Sequence, residues 1–173
     1  MDETVRPVIG RDVYIAPTAY VGGDVTIGDQ STIMHHVVVR GDIGPIRIGK
    51  RVNLQDGAVV HTPVGLALDI ADDVAVGHRA VVHCRRIGLR TLIGIGAVLL
   101  DECEIGRECI VAAGTVLVPR TTIPDGSVVM GIPGRIVRRT TEHDLQVIDR
   151  VVRSYLTLGP RHSAGDFPNI VGL

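Results

Sequence analysis

Large aromatic side chains are almost absent from this 173-residue chain: no tryptophan, one phenylalanine (Phe167) and three tyrosines (Tyr14, Tyr20, Tyr155) make up 2%. Rings ordinarily fill the irregular space of a globular core. A core of Val, Ile, Leu and Ala, accompanied by 21 glycines, points instead to a regular, repeated interior. An excess of either charge is also missing. Eighteen basic against nineteen acidic residues leave a net charge of -1, which excludes the basic field that a nucleic acid or an anionic membrane would require. Cysteine is scarce and unpaired in pattern: three residues with no CxxC motif, which fits reduced, structural thiols. No apolar run approaches a membrane span of about 18 residues. The N-terminal MDETVRPVIG lacks the basic, apolar and small-residue order of a secretory signal. The expectation is a cytoplasmic protein with no membrane partner.

A strict period fills the chain. From Ile9, aliphatic residues recur every six positions through Ile15, Val21, Ile27, Ile33 and Val39. Three extra residues around Gly44-Pro45 interrupt the count, which resumes at Ile48, Leu54 and Val60. Four more precede Ile70, Val76 and Val82, and one five-residue step leads to Ile87. Ile93, Leu99, Ile105, Val111, Leu117, Ile123 and Val129 follow unbroken, giving 20 hexads in all. Glycine often follows the leader, and the fifth position is mostly small or β-branched. Neither the helical nor the strand period explains a six. A hexad reads as a short strand plus a turn, its leader pointing inward, and three hexads close a triangular coil. Coils then stack through parallel ladders about 4.8 Å apart. The expectation is a parallel β-helix of nearly seven coils, with loops leaving the corners at the two insertions.

The segment VVMGIPGRIVRR (128–139) ends the repeat, turning outward at Gly131, Pro133 and Gly134. A helix is expected over 141–158, with Thr141 as N-cap, Asp144 three residues on, and Leu145, Ile148, Val152, Tyr155 and Leu156 along one side. Gly159-Pro160 is expected to stop it, with an irregular tail RHSAGDFPNIVGL. The chain divides into a β-helix (1–138) and a C-terminal helix and tail (139–173) that pack as a single domain.

Register selects three of the seven histidines. His61 is the second residue of the ninth hexad and His83 the second of the twelfth, one coil apart on one outer face. Two imidazoles on neighbouring rungs can converge on one ion, each about 2.0–2.1 Å from it. His78, in the eleventh hexad, belongs to another face and cannot easily join them within a rigid prism. It can complete such a pair on a neighbouring chain, and three chains about a threefold axis would then form three shared sites. Arg40 shares the column of His61 and His83, and Gln55 lies on the face of His78. Between subunits, Arg40 and a carboxylate of the neighbour could fix the trimer's register.

At this point the chain resembles the γ-class carbonic anhydrase family of hexapeptide-repeat proteins, over about residues 8–158. The resemblance rests on VVVRGD (37–42), VNLQDGAVVH (52–61), VGHRAVVHC (76–84) and VVMGIPGRIVR (128–138). It implies an all-β, left-handed parallel β-helix with a C-terminal α-helix, and a homotrimer binding Zn2+, with Fe2+ or Co2+ as alternatives, at each interface. The metal ligands it implies are His61, His78 and His83. Metal-bound water with its pKa lowered towards ~7 would attack carbon dioxide and yield bicarbonate. Gln55 would orient the hydroxide or bicarbonate, and Asn53 would help hold carbon dioxide or Gln55. Arg40 and Asp42 would organise the pocket, and Asp56 could pair with Arg40.

One departure from the family bears on turnover. Archaeal members carry a glutamate after Arg-Gly-Asp and others in the loop after the first ligand, for moving the proton to solvent. Here Ile43 follows Arg40-Gly41-Asp42, and TPVGLALD (62–69) holds only Asp69. Tyr155, a water chain or buffer would have to serve, although Tyr155 also reads as a packing residue. Cys84, Cys103 and Cys109 read as small buried residues, and His35 and His36 receive no function. Two other readings stand beside carbonic anhydrase: a hexapeptide acyltransferase or thioesterase acting on a coenzyme A thioester, and a non-catalytic metal-binding trimer.

Overall fold

The computed structural model describes residues 5–168. Short parallel strands stack on three faces of a prism. The first face runs from Tyr14–Ile15 through Thr32–Ile33, Asn53–Leu54, Ala75–Val76, Leu92–Ile93 and Ile110–Val111 to Ser127–Met130. The second carries Val59–His61, Val81–Val82, Val98–Leu99 and Val116–Leu117, and the third Leu68–Ile70, Arg86–Ile87, Glu104–Ile105 and Thr122–Ile123. Two long strands, Tyr20–Ile27 and Val38–Ile48, turn a corner and belong to both the second and third faces. The first insertion, expected as a loop, is instead a bulge within Val38–Ile48: the ladder pairs residues up to Gly41 and again from Ile46, and skips residues 42–45.

The leaders point inward as the period requires. Every leader from Ile27 to Val129 is buried, whereas Ile9 remains 41% exposed because no coil covers the first turn. Burying each such side chain contributes about 1.5–3 kcal/mol. Corners are made at the fourth position of the hexad. Asp12, Gln30, His36, Arg51, Asp73, Arg79 and Arg90 adopt positive φ there, as does Gly57. A left-handed residue costs about 1–2 kcal/mol, but here it turns the N–H along the prism axis onto the coil below. Gln30, Arg51, Gly57, Asp73 and Arg79 thus donate to the carbonyls of Arg11, Asp29, His35, Lys50 and Asp56. The glycines after the leaders answer a different need: a Cβ on Gly28 would meet the Gly49 carbonyl carbon at 2.6 Å.

The residues preceding each leader point outward and give the faces different characters. The third face is polar, with Arg47, Asp69, Arg86, Glu104 and Thr122. On the first face Ala75, Leu92 and Ile110 are apolar and packed beneath the helix, against Ile148 and Val152. On the second face Tyr20, Val38, Val59, Val81, Val98 and Val116 form an equally apolar row, with Tyr20 and Val59 exposed and the other four partly buried, that no element of the described residues covers.

Past the last coil, Arg135–Arg139 returns antiparallel to Ser127–Met130, a hairpin strand where the sequence suggested only an outward turn. The helix spans Glu142–Ser163 and begins as expected: the Thr141 hydroxyl accepts from the Asp144 N–H, and the Asp144 carboxylate accepts from the Thr141 N–H. Its end corrects the expectation, since it runs through Gly159-Pro160 to Ser163. Proline removes one intrahelical donor, but Gly159 is buried against Thr32, where a Cβ would meet the threonine methyl at 2.5 Å, and this packing holds the turn in place. Of the tail expected to be irregular, residues 161–163 are helical and 169–173 lie outside the described residues. The Arg90 guanidinium ties the helix to the prism through both oxygens of Asp149, at 2.8 and 2.7 Å.

The Arg138 guanidinium, followed by hydrogen bonds from Thr141, holds the Asp144 carboxyl far below the usual carboxylate range. A depressed native pKa adds stability that is present above about pH 4 and lost as pH falls towards the native value. Asp144→Asn is expected to lower stability at pH 7 by about 1 kcal/mol and to flatten the acid limb of the stability curve. Urea unfolding at pH 7 and at pH 3 checks both.

Candidate metal centre

Ladder pairing places Arg40 opposite His61, and Val81-Val82 opposite Val59-Val60, so Arg40, His61 and His83 stand in one column on the second face. The two imidazoles meet: His61 Nδ1 lies 3.2 Å from His83 Nε2. Their other nitrogens are tied to carboxylates. His61 Nε2 is 3.1 Å from Asp42 Oδ1, and His83 Nδ1 is 2.6 Å from Asp101 Oδ1. A carboxylate only accepts, so the tautomers that donate to Asp42 and Asp101 would turn His61 Nδ1 and His83 Nε2, 3.2 Å apart, towards one another as lone pairs that a cation could share. Imidazole nitrogens whose second nitrogen is held by a carboxylate form the usual donor set for a divalent transition metal. The residues present fit such an ion.

His78 stands at the corner between the first and second faces. Its Nδ1 is 3.0 Å from Asp56 Oδ2, which leaves Nε2 turned away from that contact. Among the described residues no three His, Cys, Asp or Glu side chains of one chain converge to hold an ion. The histidines are thus two together and one apart, as the register predicts. Within one chain Asp56 meets His78 and not Arg40. Arg40 instead reaches Asp42 two residues on, at 2.6 Å, since both lie on the same strand and face. That guanidinium, and then the His61 hydrogen bond, hold Asp42 below the usual carboxylate range.

Gln55 and Asn53 are buried, and Gln55 Nε2 donates to Asn53 Oδ1 at 3.0 Å. The Asn53 Nδ2 donor is left buried without a partner among the described residues. Tyr155 packs against the prism from the helix, and burial, with the charge of Asp56 second, raises its phenol. It neighbours the Asp56–His78 half of the constellation. Cys84 follows His83 but points inward and is fully buried, and burial pushes its thiol up, which removes it from the ligand set. The residue that sequence reasoning missed is Asp101. The same coil count finds it: Leu99 stacks on Val82, so Asp101, two residues on, lies one rung beyond His83.

The fold and the paired outer histidines define a hexapeptide-repeat β-helix equipped with a donor cluster on one face. A family model described as bacterial transferase hexapeptide (six repeats) matches residues 6–41. The chain is 36% identical over 158 residues to a carbonic anhydrase of Geobacillus kaustophilus, covering 91% of this chain and 87% of that protein. It is also 36% identical over 164 residues to the mitochondrial gamma carbonic anhydrase 2 of Arabidopsis thaliana. That match covers 91% of this chain but 59% of the plant protein, so the chain spans about three-fifths of that relative's length. A solved structure from Bacillus cereus, provisionally described as an acetyltransferase, superposes with a TM-score of 0.90 at 33% identity over 95% of each chain. The chain belongs to the γ-class carbonic anhydrase family.

All three cysteines are buried. A thiol reagent is expected to modify none of them in the native protein and all three after denaturation. Rapid native labelling would contradict their inward orientation.

Proposed function

We propose that the chain assembles as a homotrimer that interconverts carbon dioxide and bicarbonate at three shared metal sites. In this reading each site takes His61 and His83 from one subunit and His78 from the next. The observation that carries it is the pair of imidazoles that meet at 3.2 Å on the second face, each with its other nitrogen on a carboxylate, while the third histidine is held apart at a corner. The apolar row beside that pair supports the same assembly, because a continuous, partly exposed stripe of valines on one face suits an interface. Zn2+ suits three imidazoles best, with Fe2+ or Co2+ next. When bound, such an ion supplies Lewis acidity that makes water ionise near neutrality.

The chain's own residues do the rest. Asp42 and Asp101 orient His61 and His83. Gln55 and Asn53 form a buried amide pair whose remaining donor can hold an oxygen of carbon dioxide or bicarbonate. Arg40 neutralises Asp42 and keeps that carboxylate ionised at the rim. Hydration of carbon dioxide releases one proton, and this chain has no glutamate in the stretches 43–48 or 62–69 to carry it. Proton transfer through Tyr155, ordered water or buffer is then the slow step, and the rate should rise with buffer concentration.

Two further readings each have an observation behind them. The likeness to the Bacillus cereus protein favours acyl transfer to or from a coenzyme A thioester, and the missing glutamates favour a metal-binding trimer without turnover. Metal analysis joined to stopped-flow hydration separates them. One ion per chain in a trimer, and carbon dioxide hydration abolished by His61→Ala, are the expected results. Fewer than one ion per three chains would sink the shared site. A metallated trimer no faster than buffer would leave the site and remove the enzyme. Acyl-CoA turnover that survives His61→Ala would favour the transferase.

A further inference from the structure

We propose that Asp101 is a positioning residue of the metal centre, fixing the tautomer of His83 so that Nε2 carries the lone pair. This rests on the metal reading above and deepens it. Asp101 Oδ1 lies 2.6 Å from His83 Nδ1, and a carboxylate at that distance requires the nitrogen to be the donor. The remaining nitrogen of a neutral ring is then free of protons, and it is Nε2 that faces His61.

The backbone holds Asp101 where it can do this. Leu99 stacks on Val82 in the ladder. The Asp101 carbonyl accepts from Arg120 of the next coil at 2.8 Å, and Glu102 makes the corner with φ +59°. The carboxylate therefore projects from a rung fixed above and below.

Its partner is a histidine and no arginine, a choice it shares with Asp56, which meets His78. Most aspartates on this surface meet an arginine: Asp24 meets Arg47, Asp29 meets Arg11, Asp73 meets Arg51 and Asp125 meets Arg107. Even Asp42 divides its two oxygens between Arg40 and His61. Asp101 is bridged to His83 alone among the described residues, so its full acceptor strength falls on the ring. Carboxylates behind metal-bound histidines raise ligand basicity, and their removal typically costs 10–100-fold in metal affinity.

Half-exposed at the side chain, Asp101 can be truncated without opening the core. Nitrogen-15 spectra of the metal-free protein are expected to show His83 protonated at Nδ1 in the wild type and shifted towards the Nε2–H tautomer in Asp101→Ala. Cobalt titration, read by visible absorption, is expected to show about 10–100-fold weaker binding in Asp101→Ala. The loss should be smaller in Asp101→Asn, which keeps a side-chain acceptor, and trimer mass and melting temperature should not change. Wild-type His83 protonated at Nε2 would overturn the proposal. Equal cobalt affinity in wild type and Asp101→Ala would overturn it while leaving the metal reading standing. A wild-type protein that takes up no cobalt at all would overturn the metal reading and the role of Asp101 with it.

Discussion

The parallel ladder between coils fixes where every outward side chain of this protein can be. Each rung is bonded to the rungs above and below through strand pairs and through the N–H of the left-handed corner residue. A side chain therefore cannot shift along the prism or around it without breaking a column of hydrogen bonds. Burial adds to the constraint, because slipping by one residue would turn a leader such as Leu54 or Leu99 out of the core. The first insertion leaves this register intact: Val38–Ile48 bulges over residues 42–45 and rejoins its neighbours at Ile46.

The donor cluster depends on this rigidity. His61 and His83 face one another because their rungs are neighbours, and their carboxylates come from two other places on the same prism, Asp42 below and Asp101 above. The two rings meet at 3.2 Å without any ion, so in the proposed reading little reorganisation would be needed to bind one. His78 is separated from them by the same rigidity, so a shared site requires a second chain. The face carrying the pair is also the face whose apolar row is partly exposed and uncovered among the described residues, whereas the first face has its own helix and the third is polar.

Much of this was legible in the sequence because a six-residue period converts position into geometry. The coil count, the inward leaders, the column of Arg40, His61 and His83 and the isolation of His78 all follow from it, and the helix cap was readable in Thr141 and Asp144. What was hidden depended on contacts between segments that the period does not describe. The burial of Gly159 under Thr32 lets the helix pass Pro160, and no local rule contains Thr32. The antiparallel return of Arg135–Arg139 comes after the repeat ends. The exchange of partners among Arg40, Asp42, Asp56 and His78 depends on side-chain reach. Asp101 was within range of the count and was missed because it lies beyond the matching motifs.

The central claim is a site divided between chains, and subunit mixing tests it most directly. His83→Ala and His78→Ala trimers should each bind no metal at the proposed site. If the two are unfolded, mixed and refolded, every hybrid trimer contains a single boundary at which an intact His61–His83 pair meets an intact His78. The account predicts that hybrids, separated by a charge tag, regain one metal ion per trimer. Hybrids that stay metal-free while the wild type is loaded, or homotrimers of either variant that bind as the wild type does, would contradict it.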